Sequence, residues 1–211
     1  MEKRIEINKI TDILFHLDGL EAIIFDLDDT LYGEKEYVRS GYRAVAKCIP
    51  QVENAENKLW DAFEQGKPAI DEVLKSENIC TEEIQERCLK AYRHHAPEIH
   101  FYEGVAEMLK QLRNSGMKIG IITDGRPEGQ RAKVKALNLE GYVDEIIITD
   151  ELGGIAYRKP CEAAFKRIQE LLNVEFSGMC YVGDNIKKDF IAPEKLGMET
   201  IWFKNKNGLY V

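Results

Sequence analysis

Apolar and polar residues alternate in blocks along this chain, and the blocks predict strands separated by helices. Five short apolar runs have the character of buried strands. They are Ala22–Asp26, Lys118–Thr123, Glu145–Thr149, Met179–Gly183 and Thr200–Phe203. Most of the stretches between them carry apolar residues at helical spacing, as Glu103–Asn114 does. Alternating strands and helices are typical of a parallel sheet with right-handed crossovers, so the pattern predicts an α/β fold.

The interval between the first two predicted strands is unusually long. Ninety-seven positions separate Asp26 from Thr123, whereas a crossover needs only about a dozen residues. The interval reads as helices, with Pro68 beginning one and Thr81 capping another. We therefore expect a small helical domain over residues 34–97, inserted into a core made of residues 1–33 and 98–211. A bundle of purely structural use is the alternative.

Composition narrows the class of protein. A net charge of −8, with scattered lysines and arginines, gives no field that would attract nucleic acid or an anionic membrane. Five cysteines without a CxxC pair favour reduced thiols in a cytoplasmic protein. No apolar stretch approaches about 18 residues, so we expect no transmembrane helix. The first 20 residues are apolar enough to pack on the core, and we expect a monomer or a homodimer.

The first predicted strand leads directly into acidic residues. Asp26 and Asp28 are spaced i and i+2, which places both on one face if the chain stays extended. Ligands of open parallel sheets bind at the carboxyl ends of the strands. One carboxylate can be a nucleophile and the other a proton donor. We interpret the adjacent Asp29 as structural.

A hydroxyl group, a cation and further acids follow in order. Thr123 and Gly125 end the second strand, and Lys159 stands in an Arg-Lys-Pro run before a predicted helix. Asp184 follows the fourth strand, and Asp189 lies five residues further on. A nucleophile, a hydroxyl group, a cation and acidic metal ligands are what phosphoryl transfer through an aspartyl-phosphate requires.

These four motifs, in this order, resemble the haloacid dehalogenase-like superfamily, and specifically its Mg²⁺-dependent phosphatases. The resemblance covers residues 21–203. It implies a Rossmann-like, three-layer parallel-sheet core with a small inserted α-helical cap domain that covers the site and selects the substrate. Asp28 argues for phosphate chemistry, because the dehalogenases of this superfamily lack the second acid.

The resemblance also implies a role for each motif residue. Asp26 is implied as the nucleophile, and Asp28 as the general acid and base. Thr123 would hold a phosphoryl oxygen, and Lys159 would neutralise the phosphate and the nucleophile. The implied ligands of Mg²⁺ are Asp26, Asp28 through its carbonyl, Asp184 and Asp189. Asp189 could instead support Asp184 or Lys159 from behind.

Six further residues are candidate substrate contacts. They are Leu27, Asp124, Gly125, Arg39, Arg43 and Arg126. Gly125 would let backbone N–H groups approach the phosphate. Arg39 and Arg43, spaced i and i+4 on the first helix of the insertion, either grip a second anion of the substrate or form a solvated face.

The sequence therefore predicts a cytoplasmic, Mg²⁺-dependent phosphatase that hydrolyses a small phosphorylated metabolite through an aspartyl-phosphate. The Thr-Asp-Gly run, followed by Gln130 and Lys133, looks most like the branch that includes N-acylneuraminate phosphatases and nucleotidases. A sugar phosphate or a nucleoside monophosphate is the first expectation, without nucleic-acid or membrane partners. A phosphomutase of the same family and a non-catalytic binding or regulatory domain are the alternatives.

Overall fold

A six-stranded parallel sheet forms the centre of the fold in the computed structural model, which describes residues 4–209. The ends of the expected core, residues 1–3 and 210–211, lie outside that range. The strands are β1 (Ile5–Ile7), β2 (Ala22–Phe25), β3 (Lys118–Thr123), β4 (Glu145–Ile148), β5 (Met179–Gly183) and β6 (Glu199–Phe203). Their order in the sheet is β1-β6-β5-β2-β3-β4, and each neighbouring pair is parallel. The α/β prediction is confirmed.

Helices occupy most of the intervals between the strands. They are α1 (Glu34–Ala46), α2 (Ala55–Glu64), α3 (Ala69–Ser76), α4 (Glu82–Arg93), α5 (Val105–Asn114), α6 (Pro127–Ala136), α7 (Ala163–Leu172) and α8 (Ile191–Leu196). Thr81 caps α4 as predicted, because its hydroxyl accepts the Ile84 N–H at 3.3 Å. Among residues 4–209, none of these helices has the length and apolar character to cross a membrane.

Both faces of the sheet are buried. On one face, Ile24 of β2 and Ile122 of β3 belong to a cluster with Phe165 of α7. Successive side chains of a strand point to opposite faces, so Ile23 and Ile121, which are also fully buried, lie on the other face. Burial on both faces is what a parallel sheet requires. The three-layer core follows from it.

The N-terminal segment is part of the core, as predicted. β1 extends the sheet by pairing with β6, with Ile5 opposite Ile201. A 3₁₀ turn over Ile10–Phe15 follows, and Ile13 within it is fully buried. The segment therefore supplies the edge strand next to β6.

The chain divides into two compact units. One comprises the chain up to Glu34 and again from His100, and the other comprises Lys35–Ile99. The second unit holds α2, α3 and α4 with most of α1, and it has its own apolar cluster, which includes Val38 and Leu59. Its action as a cap stays a prediction.

Candidate active site

The carboxyl ends of three neighbouring strands bring predicted site residues together. β2 lies between β5 and β3, and the Asp26 N–H donates to the Val182 carbonyl at 2.8 Å. Asp26, Thr123 and Asp184 therefore lie at one edge of the sheet, where a cavity of about 160 Å³ opens. Its lining residues are Asp26, Asp28, Glu34, Asp124, Arg158, Asp184, Asn185 and Lys188.

Lys159 is a buried cation that bridges two acids. Its Nζ lies 2.8 Å from Asp26 Oδ1 and 2.8 Å from Asp189 Oδ1, and it donates to the Tyr181 hydroxyl at 2.9 Å. Burial acts to lower the pKa of Lys159, but the charges of Asp189 and Asp26 outweigh it and hold that pKa well above its ordinary value. The site thus has a fixed positive charge beside the predicted nucleophile.

Three carboxylates converge at the same place. Asp26, Asp184 and Asp189 each offer one oxygen, and these oxygens lie within 4.8 Å of one another. Burial, followed by the charges of Asp26 and Asp189, raises the pKa of Asp184 to about 8. Burial also raises the pKa of Asp26 to about 6, although Lys159 acts against it. Negative charge here is incompletely compensated, and hard oxygen donors are what Mg²⁺ binds, so the donor set fits a divalent cation.

Asp189 has contacts of its own on both oxygens. Oδ1 pairs with Lys159, and Oδ2 accepts the Asn185 N–H at 2.9 Å. These contacts favour the alternative in which Asp189 supports Lys159, and metal coordination by Asp189 stays a prediction. Asn185 itself forms a turn, since its side-chain oxygen accepts the Lys187 N–H at 3.1 Å.

Asp28 is held on the cavity wall by three donors. Lys133 Nζ lies 2.7 Å from Oδ1, and the Tyr32 hydroxyl donates to the same oxygen. Gln130 Nε2 donates to Oδ2 at 2.9 Å. Burial acts to raise the pKa of Asp28, but Lys133 above all, with Tyr32 and Gln130, holds that pKa below its ordinary value.

The loop after β3 is built around Gln130. Thr123 is fully buried, with its Oγ1 2.9 Å from Gln130 Nε2. Gly125 has a φ of +142°, and a Cβ there would lie 3.0 Å from the same nitrogen. Only glycine fits both the backbone conformation and this close approach.

The Asp124 side chain binds protein groups. Oδ1 accepts the Thr149 hydroxyl and the Lys159 N–H, each at 3.0 Å, and Oδ2 pairs with Lys188 Nζ at 3.0 Å. This carboxylate ties the loop after β3 to the segments that carry Lys159 and Lys188. Contact of Asp124 with substrate stays a prediction, as does that of Leu27, whose side chain is fully buried.

Four cavity residues were not among the predicted site residues. Glu34 begins α1, and burial, followed by the charge of Asp28, raises its pKa to about 8. Arg158 pairs with Asp150 through two bonds of 2.7 Å. Arg158 and Lys188 each immediately precede a predicted site residue, and Asn185 immediately follows one. Their position beside those residues is the sequence feature that could have identified them. Nothing in the sequence distinguished Glu34 from a solvated residue of α1.

The three candidate arginines lie outside these contacts. Arg39 pairs with Glu56 at 2.8 Å and stacks over Trp60, 5.0 Å from the ring centre. Arg43 pairs with Glu56 at 3.6 Å and with Glu98. Acids of their own unit therefore neutralise these two arginines. Arg126 is exposed at the start of α6, and substrate contact by all three stays a prediction.

Tyr181→Phe tests whether the hydroxyl group orients Lys159. The change removes an acceptor 2.9 Å from Nζ and keeps the ring that packs on Phe165. Because Lys159 retains both acids, we expect kcat/KM to fall only about 3- to 10-fold, the value of one hydrogen bond. Tyr142→Phe, in a ring pair with Phe101, is the control. Equal activity of the two variants would show that the Tyr181 hydroxyl has no part in orienting Lys159.

Known proteins resemble this chain in sequence and in fold. It is 26% identical over 199 residues to the glyceraldehyde 3-phosphate phosphatase of Methanocaldococcus jannaschii, covering 86% of this chain and 84% of that protein. Identity to the enzyme of the same name from Pyrococcus abyssi is 35% over 101 residues, but that match spans only 48% of this chain and 41% of the relative. The magnesium-bound HAD-hydrolase YfnB from Bacillus subtilis has the same fold, with a TM-score of 0.65, 17% identity and coverage of 87% and 86%.

The family follows from the extent of the match rather than from any one relative. The model of the haloacid dehalogenase-like hydrolases matches residues 23–203, which contain all four motifs, the whole of the second compact unit and most of the first. The chain therefore belongs to the haloacid dehalogenase-like hydrolases, as the motifs predicted.

Proposed function

We propose that this enzyme is a Mg²⁺-dependent phosphomonoesterase that acts on a small phosphorylated metabolite through an aspartyl-phosphate on Asp26. The observation that carries the proposal is the pairing of Asp26 and Asp28 in one cavity, with Lys159 Nζ 2.8 Å from Asp26. The relatives named as phosphatases support the reaction class. A chain with this acid pair has both the nucleophile and the proton carrier that ester hydrolysis needs.

The converging carboxylates would hold the cation. Asp26 and Asp184 would supply carboxylate oxygens, the Asp28 carbonyl would add another, and Asp189 lies behind them beside Lys159. When bound, Mg²⁺ offsets the charge of the phosphate and so lets an anionic nucleophile approach it. The magnesium in the fold relative YfnB agrees with this assignment.

In the first step, a carboxylate oxygen of Asp26 attacks phosphorus while the bond to the leaving oxygen breaks. Lys159 orients the Asp26 carboxylate and offsets charge on the phosphoryl oxygens. The Thr123 hydroxyl lies at the same edge of the sheet and would hold one of these oxygens. Asp28 must be protonated for this step although Lys133 lowers its pKa in the free protein, and it then gives its proton to the leaving oxygen, so the alcohol departs neutral.

In the second step, water attacks phosphorus and the bond to Asp26 breaks, which releases phosphate and restores the nucleophile. Asp28, now a carboxylate, takes the proton from that water. The same proton then serves the next leaving group, so the cycle needs no other proton carrier. The helical unit Lys35–Ile99 would act as the cap that chooses the leaving group.

A screen of phosphorylated metabolites tests the proposal. The panel holds sugar phosphates, nucleoside monophosphates and glyceraldehyde 3-phosphate, the last because relatives are named for it. We expect phosphate release from at least one substrate with Mg²⁺ and none in EDTA. Formation of a phosphorylated isomer would assign the chain to the phosphomutases. Binding of a metabolite without turnover would identify a regulatory domain.

A further inference from the structure

Two polar residues of α6 occupy positions that packing would give to apolar ones. Gln130, Lys133, Val134 and Leu137 have the spacing i, i+3, i+4, i+7, which defines one helix face. All four are buried, with Gln130 2% and Lys133 5% exposed. Burying an ammonium group is costly unless it is paired. Gln130 and Lys133 therefore have a role on this helix face other than packing.

Both residues reach Asp28, and they hold different oxygens of it. Lys133 Nζ lies 2.7 Å from Oδ1, and Gln130 Nε2 donates to Oδ2 at 2.9 Å. The Tyr32 hydroxyl adds a second donor to Oδ1, and its ring centre is 6.0 Å from Lys133 Nζ. Donors from two sides fix the rotation of a carboxylate as well as its position.

Gln130 also connects the acid to the loop after β3. Its Nε2 lies 2.9 Å from Thr123 Oγ1 and contacts the Asp124 carbonyl. The Asp124 carbonyl only accepts hydrogen bonds, and the Asp28 carboxylate does the same when it is ionised, so the amide is oriented with its nitrogen toward them. One side chain thus sets the distance between the predicted phosphate-binding hydroxyl and the predicted acid.

We infer that Lys133 and Gln130, here named the α6 pair, are positioning residues that hold Asp28 where it transfers a proton to the leaving oxygen. The inference rests on the proposed function, because it gives the α6 pair a role only if Asp28 is the acid. Proton transfer needs heavy atoms about 2.6–3.2 Å apart, and a displaced carboxylate loses that geometry. Breaking the bond between phosphorus and a poor leaving group depends on this proton more than breaking the bond to a good one.

Two aryl phosphates that differ only in a para nitro group separate this role from a general loss of structure. Phenol, with a pKa near that of tyrosine at about 10, is a poorer leaving group than the more acidic p-nitrophenol. The value of kcat/KM reports the step up to leaving-group departure, so later hydrolysis does not mask the effect. We expect Lys133→Met to reduce kcat/KM about 100-fold for phenyl phosphate and less than about 10-fold for p-nitrophenyl phosphate.

A matched control and a second variant complete the test. Lys135→Met changes an exposed lysine of the same helix and should alter neither value. Gln130→Met should show the same leaving-group preference as Lys133→Met, and it replaces that variant if Lys133→Met does not fold. Equal losses on the two substrates, or no loss, would overturn the inference while leaving the proposed function intact.

The Asp28→Asn background gives the decisive comparison. Residues that act through one group are non-additive, so Lys133→Met, which alone should cost about 100-fold on phenyl phosphate, should change kcat/KM for that substrate less than about 3-fold when Asp28 is already an asparagine. A full additional loss in that background would show that Lys133 acts elsewhere. Absence of turnover in the unmutated enzyme would instead count against the proposed function, so the two failures are distinguishable.

Discussion

Asp26→Asn should abolish turnover while the fold survives. The amide has nearly the shape of the carboxylate but is a poor nucleophile, so we expect kcat to fall about 10⁴-fold or more, roughly 5 kcal/mol in the barrier. The fold should tolerate the change because the Asp26 N–H, which bonds the Val182 carbonyl, is unaffected. The measurement is kcat for the best substrate of the screen, with the melting temperature measured in parallel.

The control for Asp26→Asn is the same substitution on the surface. Asp18 is exposed in a turn before β2, and Asp18→Asn should keep full activity. Activity of Asp26→Asn within tenfold of the unmutated enzyme would remove Asp26 from the role of nucleophile.

Removal of divalent cations should have an effect of similar size. The raised pKa of Asp184, caused by burial and by the charges of Asp26 and Asp189, indicates a site whose negative charge Lys159 does not fully offset. We expect EDTA to reduce kcat by at least about 10³-fold and Mg²⁺ to restore it. Ca²⁺ should not restore it, because its longer bonds and looser coordination would misplace the nucleophile.

Metal binding has a second readout that does not depend on turnover. A cation bound only by the folded state stabilises it, by about 2.7 kcal/mol at a concentration 100 times its Kd. Mg²⁺ should therefore raise the melting temperature of the unmutated protein, and Asp184→Asn should reduce that rise. Full activity in EDTA, with no change in melting temperature on adding Mg²⁺, would contradict the account and favour the metal-free chemistry of dehalogenases.

The pattern of apolar residues predicted most of the sheet. Strands of a parallel sheet are buried on both faces, so each is a short and nearly continuous apolar run that is easy to recognise. Five strands were placed with ends within one residue of those observed. The helix α8 was not predicted. It has only six residues, includes Pro193, and leaves Ile191 half exposed, so it offers too few turns for an apolar stripe to show.

The residues around Asp28 were harder to predict, because their contacts cross the sequence. Gln130 and Lys133 lie 102 and 105 positions from Asp28, and no local pattern reports such a distance. Val134 and Leu137 correctly indicated the inward face of α6. A buried glutamine and lysine on that same face have the appearance of ordinary surface residues, and their burial depends on what the rest of the chain places opposite them.

The alternatives for Asp189 show the same limit. Spacing placed it near Asp184 but gave no distance to Lys159, which lies 30 positions earlier in the chain. The contact between them, 2.8 Å long and fully buried, depends on the approach of β5 to the segment before α7. The order of the motifs therefore predicts which residues come together in the site. Which group each carboxylate oxygen of Asp189 contacts can be known only from the folded structure.

Trapping the covalent intermediate tests the central claim most directly. Asp28→Asn enzyme is mixed with Mg²⁺ and p-nitrophenyl phosphate, quenched in acid and reduced with borohydride, which converts an aspartyl-phosphate to homoserine. Mass spectrometry of the peptides then locates the modified residue. The account predicts homoserine at position 26 and at no other aspartate. Release of p-nitrophenol without a modified peptide, or modification at another aspartate, would contradict it.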